Sequence, residues 1–215
     1  RDIMLAESAG AQLHIAHIST ARSLELVKNA KDKGLPVTCE VTPHHLVLNE
    51  EATITFNTNT KMKPPLRSEK DRLACVQALK DGLIDCIATD HAPHADFEKE
   101  KEYDHAPFGI IGLETAFPVL YKNLVQTGLI SLNRLVEALT IAPAKILDLP
   151  GGVLEVGKAA DLTIIDLEKE TLFSVENILS KSKNTPWLNQ FLPGRVLCTI
   201  CNGNVTYMDS EKWTN

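Results

Sequence analysis

The sequence predicts an α/β fold: parallel βα units over residues 1–150, then a smaller β element over residues 151–215. Three observations carry this. Short apolar runs alternate with amphipathic helical stretches as far as Leu149, the pattern of a parallel sheet with crossover helices. Each of the three apolar runs ends in residues able to do chemistry: His17, then Thr42-Pro43-His44-His45, then Asp90. After Pro150-Gly151-Gly152 the pattern becomes one of strands joined by turns.

The elements follow in order. RDIMLAESAG reads as the last turns of a helix stopped by Gly10. It has no initiator Met, so the chain is expected to be a fragment or a processed product. LHIAH (13–17) is a strand. The next helix is expected over 19–34, with Leu24, Leu26, Val27 and Ala30 at near-helical spacing. Ser19 or Thr20 would cap it and Gly34 would stop it. PVTCEV (36–41) is the second strand, followed by a polar segment to about residue 60. RSEKDRLACVQALKDG (67–82) is a helix that opens on Ser68 and Asp71, a capping-box pattern. IDCIAT (84–89) is the third strand; a long polar loop and helices near 113–127, 131–140 and 142–148 come next. GKAADLTIIDLEK and GRVLCTICNGNVTYMD read as strands, with Asn202-Gly203 as a hairpin turn. The stretch between them, 174–193, reads as a loop.

Composition excludes several classes. The chain has 215 residues, 44% hydrophobic and 23% charged, as a globular domain does. The formal net charge of -6, without a basic block, argues against a nucleic-acid partner. No stretch reaches the ~18 apolar residues of a membrane helix, and no signal peptide is recognisable. The five cysteines (39, 75, 86, 198 and 201) form no disulfide framework. Cys198 and Cys201 are spaced C-x-x-C, but on a strand they face opposite ways. Reduced cysteines in a cytoplasmic protein are expected.

The candidate site residues lie at the strand ends. An unpaired carboxylate ending an apolar strand is costly, so Asp90 needs a metal, a cation or a catalytic task. His17 follows an apolar run and could be structural or a ligand. His14, three residues earlier, is expected on the other, helix-facing side with a structural role. His44 and His45 are expected to point apart, one of them orienting a loop. His94 could meet an anion. A carboxylate and imidazoles at such positions suit a divalent metal, above all zinc.

Six segments occur in order and cover nearly the whole chain: HIAHIST (14–20), EVTPHHL (40–46), KMKPPLR (61–67), IDCIATDHAPH (84–94), APFGIIGLETAFP (106–118) and ADLTIID (160–166). Together they resemble the carboxyl-terminal half of class I dihydroorotases of the amidohydrolase superfamily. The resemblance implies the last part of a distorted (β/α)8 barrel, strands six to eight with their helices over 1–150, and part of a small β-sandwich over 151–215. It implies reversible interconversion of L-dihydroorotate and N-carbamoyl-L-aspartate in pyrimidine biosynthesis, by a hydroxide that two zinc ions activate. His17 matches a metal-ligand histidine. Asp90 matches a residue that touches metal and serves as the general acid/base. His94 matches a residue that holds the substrate carboxylate, and the backbone at Phe108 and Gly109 matches a segment against the pyrimidine ring. Lys63 departs from the pattern, which has a substrate-binding Asn at that position. The H-x-H pair, the bridging carboxylate and a further histidine of the family pattern are not in these 215 residues. Two ligands fall short of the three that catalytic zinc normally takes. The isolated chain is therefore expected to be unstable or inactive. The resemblance also implies a homodimer and, as a further partner, aspartate transcarbamoylase.

Three rival readings stand beside this one. Hydantoinases, dihydropyrimidinases and allantoinases share barrel and metal chemistry, but their substrates lack the ring carboxylate that His94 would serve. A non-catalytic relative could instead assist transcarbamoylase assembly. A plain α/β domain with structural histidines would need the ordered match to be coincidence.

Overall fold

In a computed structural model of the chain, residues 1–209 are described. They contain a three-stranded parallel sheet, β1 (Leu13–Ile15), β2 (Val37–Val41) and β3 (Cys86–Ile87), in sequence order. A second sheet is antiparallel: β4 (Leu162–Phe173), β5 (Gln190–Cys201) and β6 (Asn204–Met208). The helices are α1 (Asp2–Ala9), α2 (Ala21–Asp32), α3 (Pro43–Val47), α4 (Glu69–Lys80), α5 (Asp96–Lys99), α6 (Ala116–Leu120), α7 (Leu132–Leu139) and α8 (Ile141–Ile146). No helix among the described residues is long and apolar enough to cross a membrane.

Most of these elements lie where local chemistry puts them. Gly10 adopts φ 63° and ends α1 with a left-handed cap. Thr20 caps α2 by accepting from the Ser23 amide at 3.1 Å. Ser68 caps α4 in the same way, from the Asp71 amide at 3.3 Å. The expected reciprocal half of that capping box does not form. The Asp71 carboxylate instead accepts from the Ser68 hydroxyl and from the Ala21 amide at 2.8 Å. It thus places a negative charge at the amino end of α2, where the helix dipole favours one. Asn202 (φ 48°) and Gly203 (φ 78°) make the expected hairpin turn between β5 and β6.

Some bounds differ from expectation. The third strand keeps only two residues in the ladder, because the chain turns away to form the site. Two helices, α3 and α5, occupy segments expected as loop. The loop expected over 174–193 is shorter, because β5 already begins at Gln190. All five cysteines are free, with Cys198 buried and Cys201 exposed, as strand alternation requires.

The main core lies between the helices and one face of the parallel sheet. Val37, Cys39 and Val41 meet Leu24, Val27 and Ala30 of α2, Leu79 of α4, and Leu124 and Leu135 beyond. Burying each large side chain stabilises by ~1.5–3 kcal/mol. Burial also pushes the Cys39, Cys75 and Cys86 thiols up to about 12, which leaves them inert. Arg134 of α7 ties helices to sheet by donating to the Leu79 carbonyl at 2.7 Å and the Ile84 carbonyl at 2.6 Å. A second core of Met62, Leu66, Ile110, Val119, Trp187 and Leu192 joins the antiparallel sheet to the rest.

The opposite face of the parallel sheet is polar. Parallel partners share a face, and the register pairs His14 with Thr38 and Glu40 with Cys86. His14 therefore sits away from the helices, beside Thr38 and Glu40. This corrects the expectation of a helix-facing His14; Leu13 and Ile15 take that side.

His44 and His45 are both buried in α3, with ring centres 4.6 Å apart. His45 is the one that orients a loop: Nε2 donates to the Pro64 carbonyl at 3.0 Å, while Nδ1 accepts from the Thr42 hydroxyl at 2.7 Å. Burial pushes His45 down to about 4 and His44 well below its ordinary value. An unfolded histidine titrates near ~6.5, so between there and about 4 the unfolded chain binds more protons. Stability then rises with pH across that window and is lost as pH falls through it. His45 alone accounts for up to about 3 kcal/mol. Denaturant midpoints at neutral pH and near pH 5, for the parent and His45→Gln, check this. The parent is expected to lose more than the variant, and equal losses would clear His45 of the effect.

Candidate active site

The site forms where the chain leaves β1 and β3. In a regular strand, His17 would follow Leu13 and Ile15 onto the helix side. It does not, because His17 adopts φ 55°. The chain rejoins the sheet at once, with the Ile18 amide donating to the Glu40 carbonyl at 2.9 Å. The kink turns the imidazole onto the polar face. Asp90 makes the same move with φ 50°. Before it, the Ala88 amide donates to the Val41 carbonyl; after it, His91 bridges to Ile110 in parallel. Left-handed backbone costs a non-glycine residue ~1–2 kcal/mol, so both residues are held there by their surroundings. Gly112 is part of that hold: a Cβ on it would stand 2.8 Å from the Thr89 carbonyl oxygen.

The two kinks bring side chains from different strands together. His17 Nε2 lies 3.6 Å from Asp90 Oδ1. His17 Nδ1 lies 2.9 Å from Glu40 Oε1, off the axis of a straight hydrogen bond. Glu40 Oε2 in turn meets His14 Nε2 at 3.2 Å, and His14 Nδ1 meets the Thr38 hydroxyl at 2.8 Å. Glu40 holds His17 above its ordinary pKa against the opposing effect of burial, with Asp90 adding to the rise. Burial, the largest single effect, would push Glu40 up, but the neighbouring His17 and His14 imidazoles together outweigh it and leave the carboxyl below its usual range.

A divalent metal fits between His17 and Asp90. Two ligands ~2.0–2.2 Å from one tetrahedral zinc stand about 3.4 Å apart, close to the 3.6 Å found here. Another group, His14, Glu40 and Cys86, also gathers donor atoms within 4.8 Å of one another. Both ring nitrogens of that histidine are already engaged, and the Cys86 thiol is pushed up to about 12 by burial.

The other candidate residues line the segment after Asp90. His94 Nε2 donates to the Phe108 carbonyl at 2.9 Å, and its backbone amide donates to Asn184 Oδ1. Phe108 is half-exposed. Gly109 has φ 104°, and a Cβ there would come within 2.6 Å of the Ala92 Cβ, so no larger residue fits. Lys63 is exposed, with its ammonium 5.7 Å from the centre of the Phe108 ring.

Several participants were not singled out from the sequence. Lys61 is buried and donates to the carbonyls of Tyr103, Asp104 and Ala106. Lys99 is buried beside it, donates to Pro107 and Gly109, and is pushed down to about 8 by burial and by the Lys61 charge. These two ammonium groups fix the loop that carries Phe108. Asn184 bonds to Ala92 and Gly109 from the far side. Glu40 had a signal, as the one charged residue in an apolar strand; Asn184 had none.

Comparison with known proteins adds to this geometry. The sequence model of the amidohydrolase family matches residues 2–206. The chain is 51% identical over 210 residues to the dihydroorotase of Brevibacillus brevis, covering 97% of this chain and 49% of that protein. It is 50% identical over 211 residues to the dihydroorotase of Bacillus subtilis, covering 98% and 49%. The chain thus spans about half the length of these curated relatives. Among solved structures, L-hydantoinase from Arthrobacter aurescens superposes with a TM-score of 0.90 at 32% identity, over 96% of this chain and 47% of that one. D-hydantoinase from a Bacillus species superposes at 0.87 and 26% identity, over 96% and 48%.

Proposed function

Because the chain belongs to the amidohydrolase family, we propose that it forms the carboxyl-terminal half of a dihydroorotase, which interconverts L-dihydroorotate and N-carbamoyl-L-aspartate. The observation that carries this reading is the convergence of His17 Nε2 and Asp90 Oδ1 to 3.6 Å from the kinked ends of two strands. The identity of about 50% to dihydroorotases, against 32% and 26% to hydantoinases, supports dihydroorotate as the substrate.

In this reading residues 1–150 are barrel strands six to eight with their helices, and residues 151–215 are part of a β-sandwich. His17 and Asp90 are metal ligands, and the complete site holds two zinc ions. Bound zinc supplies a Lewis acid that acidifies water and polarises the amide carbonyl. Asp90 takes the proton from the attacking water and delivers it to the departing ring nitrogen; ring closure runs the same transfers backwards. His94 and Lys63 hold the substrate carboxylate. The backbone at Phe108 and Gly109 lies along the ring, on a loop that Lys61 and Lys99 keep in place. The protein is then a cytoplasmic homodimer, with aspartate transcarbamoylase as a further partner.

The test is ring opening by the complete, zinc-loaded enzyme, with L-dihydroorotate, hydantoin and dihydrouracil compared. A site built for the carboxylate is expected to favour dihydroorotate by on the order of 10⁴-fold in kcat/KM. Equal or faster opening of the other two rings would transfer the protein to the hydantoinase side of the family. Silence on all three by a folded, zinc-loaded enzyme would support the non-catalytic partner reading.

A further inference from the structure

The geometry points to Glu40 as the positioning residue for His17: it fixes which ring nitrogen carries the proton and so aims the free Nε2 lone pair at Asp90. This rests on the reading of His17 as a metal ligand. VTCEV is apolar on its helix side, and a carboxylate on the other side is costly unless something engages it. Each of its oxygens faces a different histidine, His17 Nδ1 at 2.9 Å and His14 Nε2 at 3.2 Å. His14 is braced from behind by the Thr38 hydroxyl at 2.8 Å. The result is a line from Thr38 through His14, Glu40 and His17 to Asp90, running from β2 and β1 to the chain just beyond β3.

The line has a direction. An ionised carboxylate can only accept, so beside it Nδ1 of a neutral His17 keeps its proton. Nε2 is then the acceptor, and it faces Asp90 at 3.6 Å. A carboxylate behind a ligating imidazole fixes ring orientation and raises the basicity of the metal-bound nitrogen. It also helps to hold His17 in a backbone conformation that few side chains adopt.

The test uses the complete enzyme and reads zinc affinity by chelator competition. Glu40→Ala is expected to weaken zinc ~10–100-fold. Glu40→Gln keeps an acceptor oxygen beside Nδ1, so it is expected to recover most of that loss, which a mere space-filling role would not predict. Removal of His14, one step further back, is expected to weaken zinc less than Glu40→Ala does. A second measurement needs no variant: ¹⁵N NMR of the metal-free parent at alkaline pH should find the His17 proton on Nδ1. A proton on Nε2 there, or parental zinc affinity in Glu40→Ala, would overturn the role of Glu40. Failure of the underlying reading looks different: His17→Ala itself would then bind zinc as the parent does.

Discussion

In the complete enzyme, Asp90→Asn is expected to lower kcat by ~10²–10⁴ while leaving the melting temperature within a few degrees of the parent. Asparagine has nearly the same shape, and like aspartate it tolerates left-handed backbone, so the φ of 50° at this position survives. Its amide oxygen can still face His17. What it cannot do is take up a proton and give it back. The loss therefore belongs in kcat, with KM little changed. Steady-state kinetics with L-dihydroorotate and a thermal melt on the same preparations separate the cases. A kcat within a few-fold of the parent would remove Asp90 from the proton-transfer role. A large loss accompanied by a fallen melting temperature would point to damaged folding instead.

The 215-residue chain on its own is expected to show no turnover, and to gain it when the preceding half of its relatives' sequence is supplied as a second chain. Two observations support this. Among the described residues the site gathers His17 and Asp90, whereas catalytic zinc normally takes three protein ligands. The polar face of the parallel sheet, with His14, Thr38, Glu40 and His17, also lies only partly covered. Among the described residues its outer strand β1 pairs with β2 alone, and such an edge invites a pairing strand. Dihydroorotate assays and zinc titrations on the chain alone, then on the mixture, decide the matter. Turnover by the chain alone would mean that these residues build a complete site by themselves. A mixture that assembles but stays silent would count against the catalytic reading.

How much of this was legible in the sequence depends on what each feature obeys. Caps and turns are local chemistry, so Gly10, Thr20, Ser68 and Asn202-Gly203 appear where their residue types predict. Asp90 was legible because an ionisable group at the end of an apolar strand needs a reason to be there. His14 was misplaced for an instructive reason. Counting by twos from His17 assumes an unbroken strand, and the kink at His17 breaks the count. A positive φ at histidine has no local signature, since histidine carries no intrinsic preference strong enough to announce it. Lys61, Lys99 and Asn184 were illegible on other grounds. Their hydrogen-bond partners are backbone groups, which every residue has, so sequence cannot say which loop they hold.

The two left-handed residues also say something about how this protein can be altered. Glycine would relax the backbone at both positions, and a search that scores only folded-state stability would choose it. The proposed ligands thus sit at points of local frustration, where a gain in robustness trades against the task. A stabilised variant of this protein should therefore be designed with residues 17 and 90 held fixed. In a family-wide survey, a glycine at either position would mark a member that has given up the chemistry and kept the scaffold.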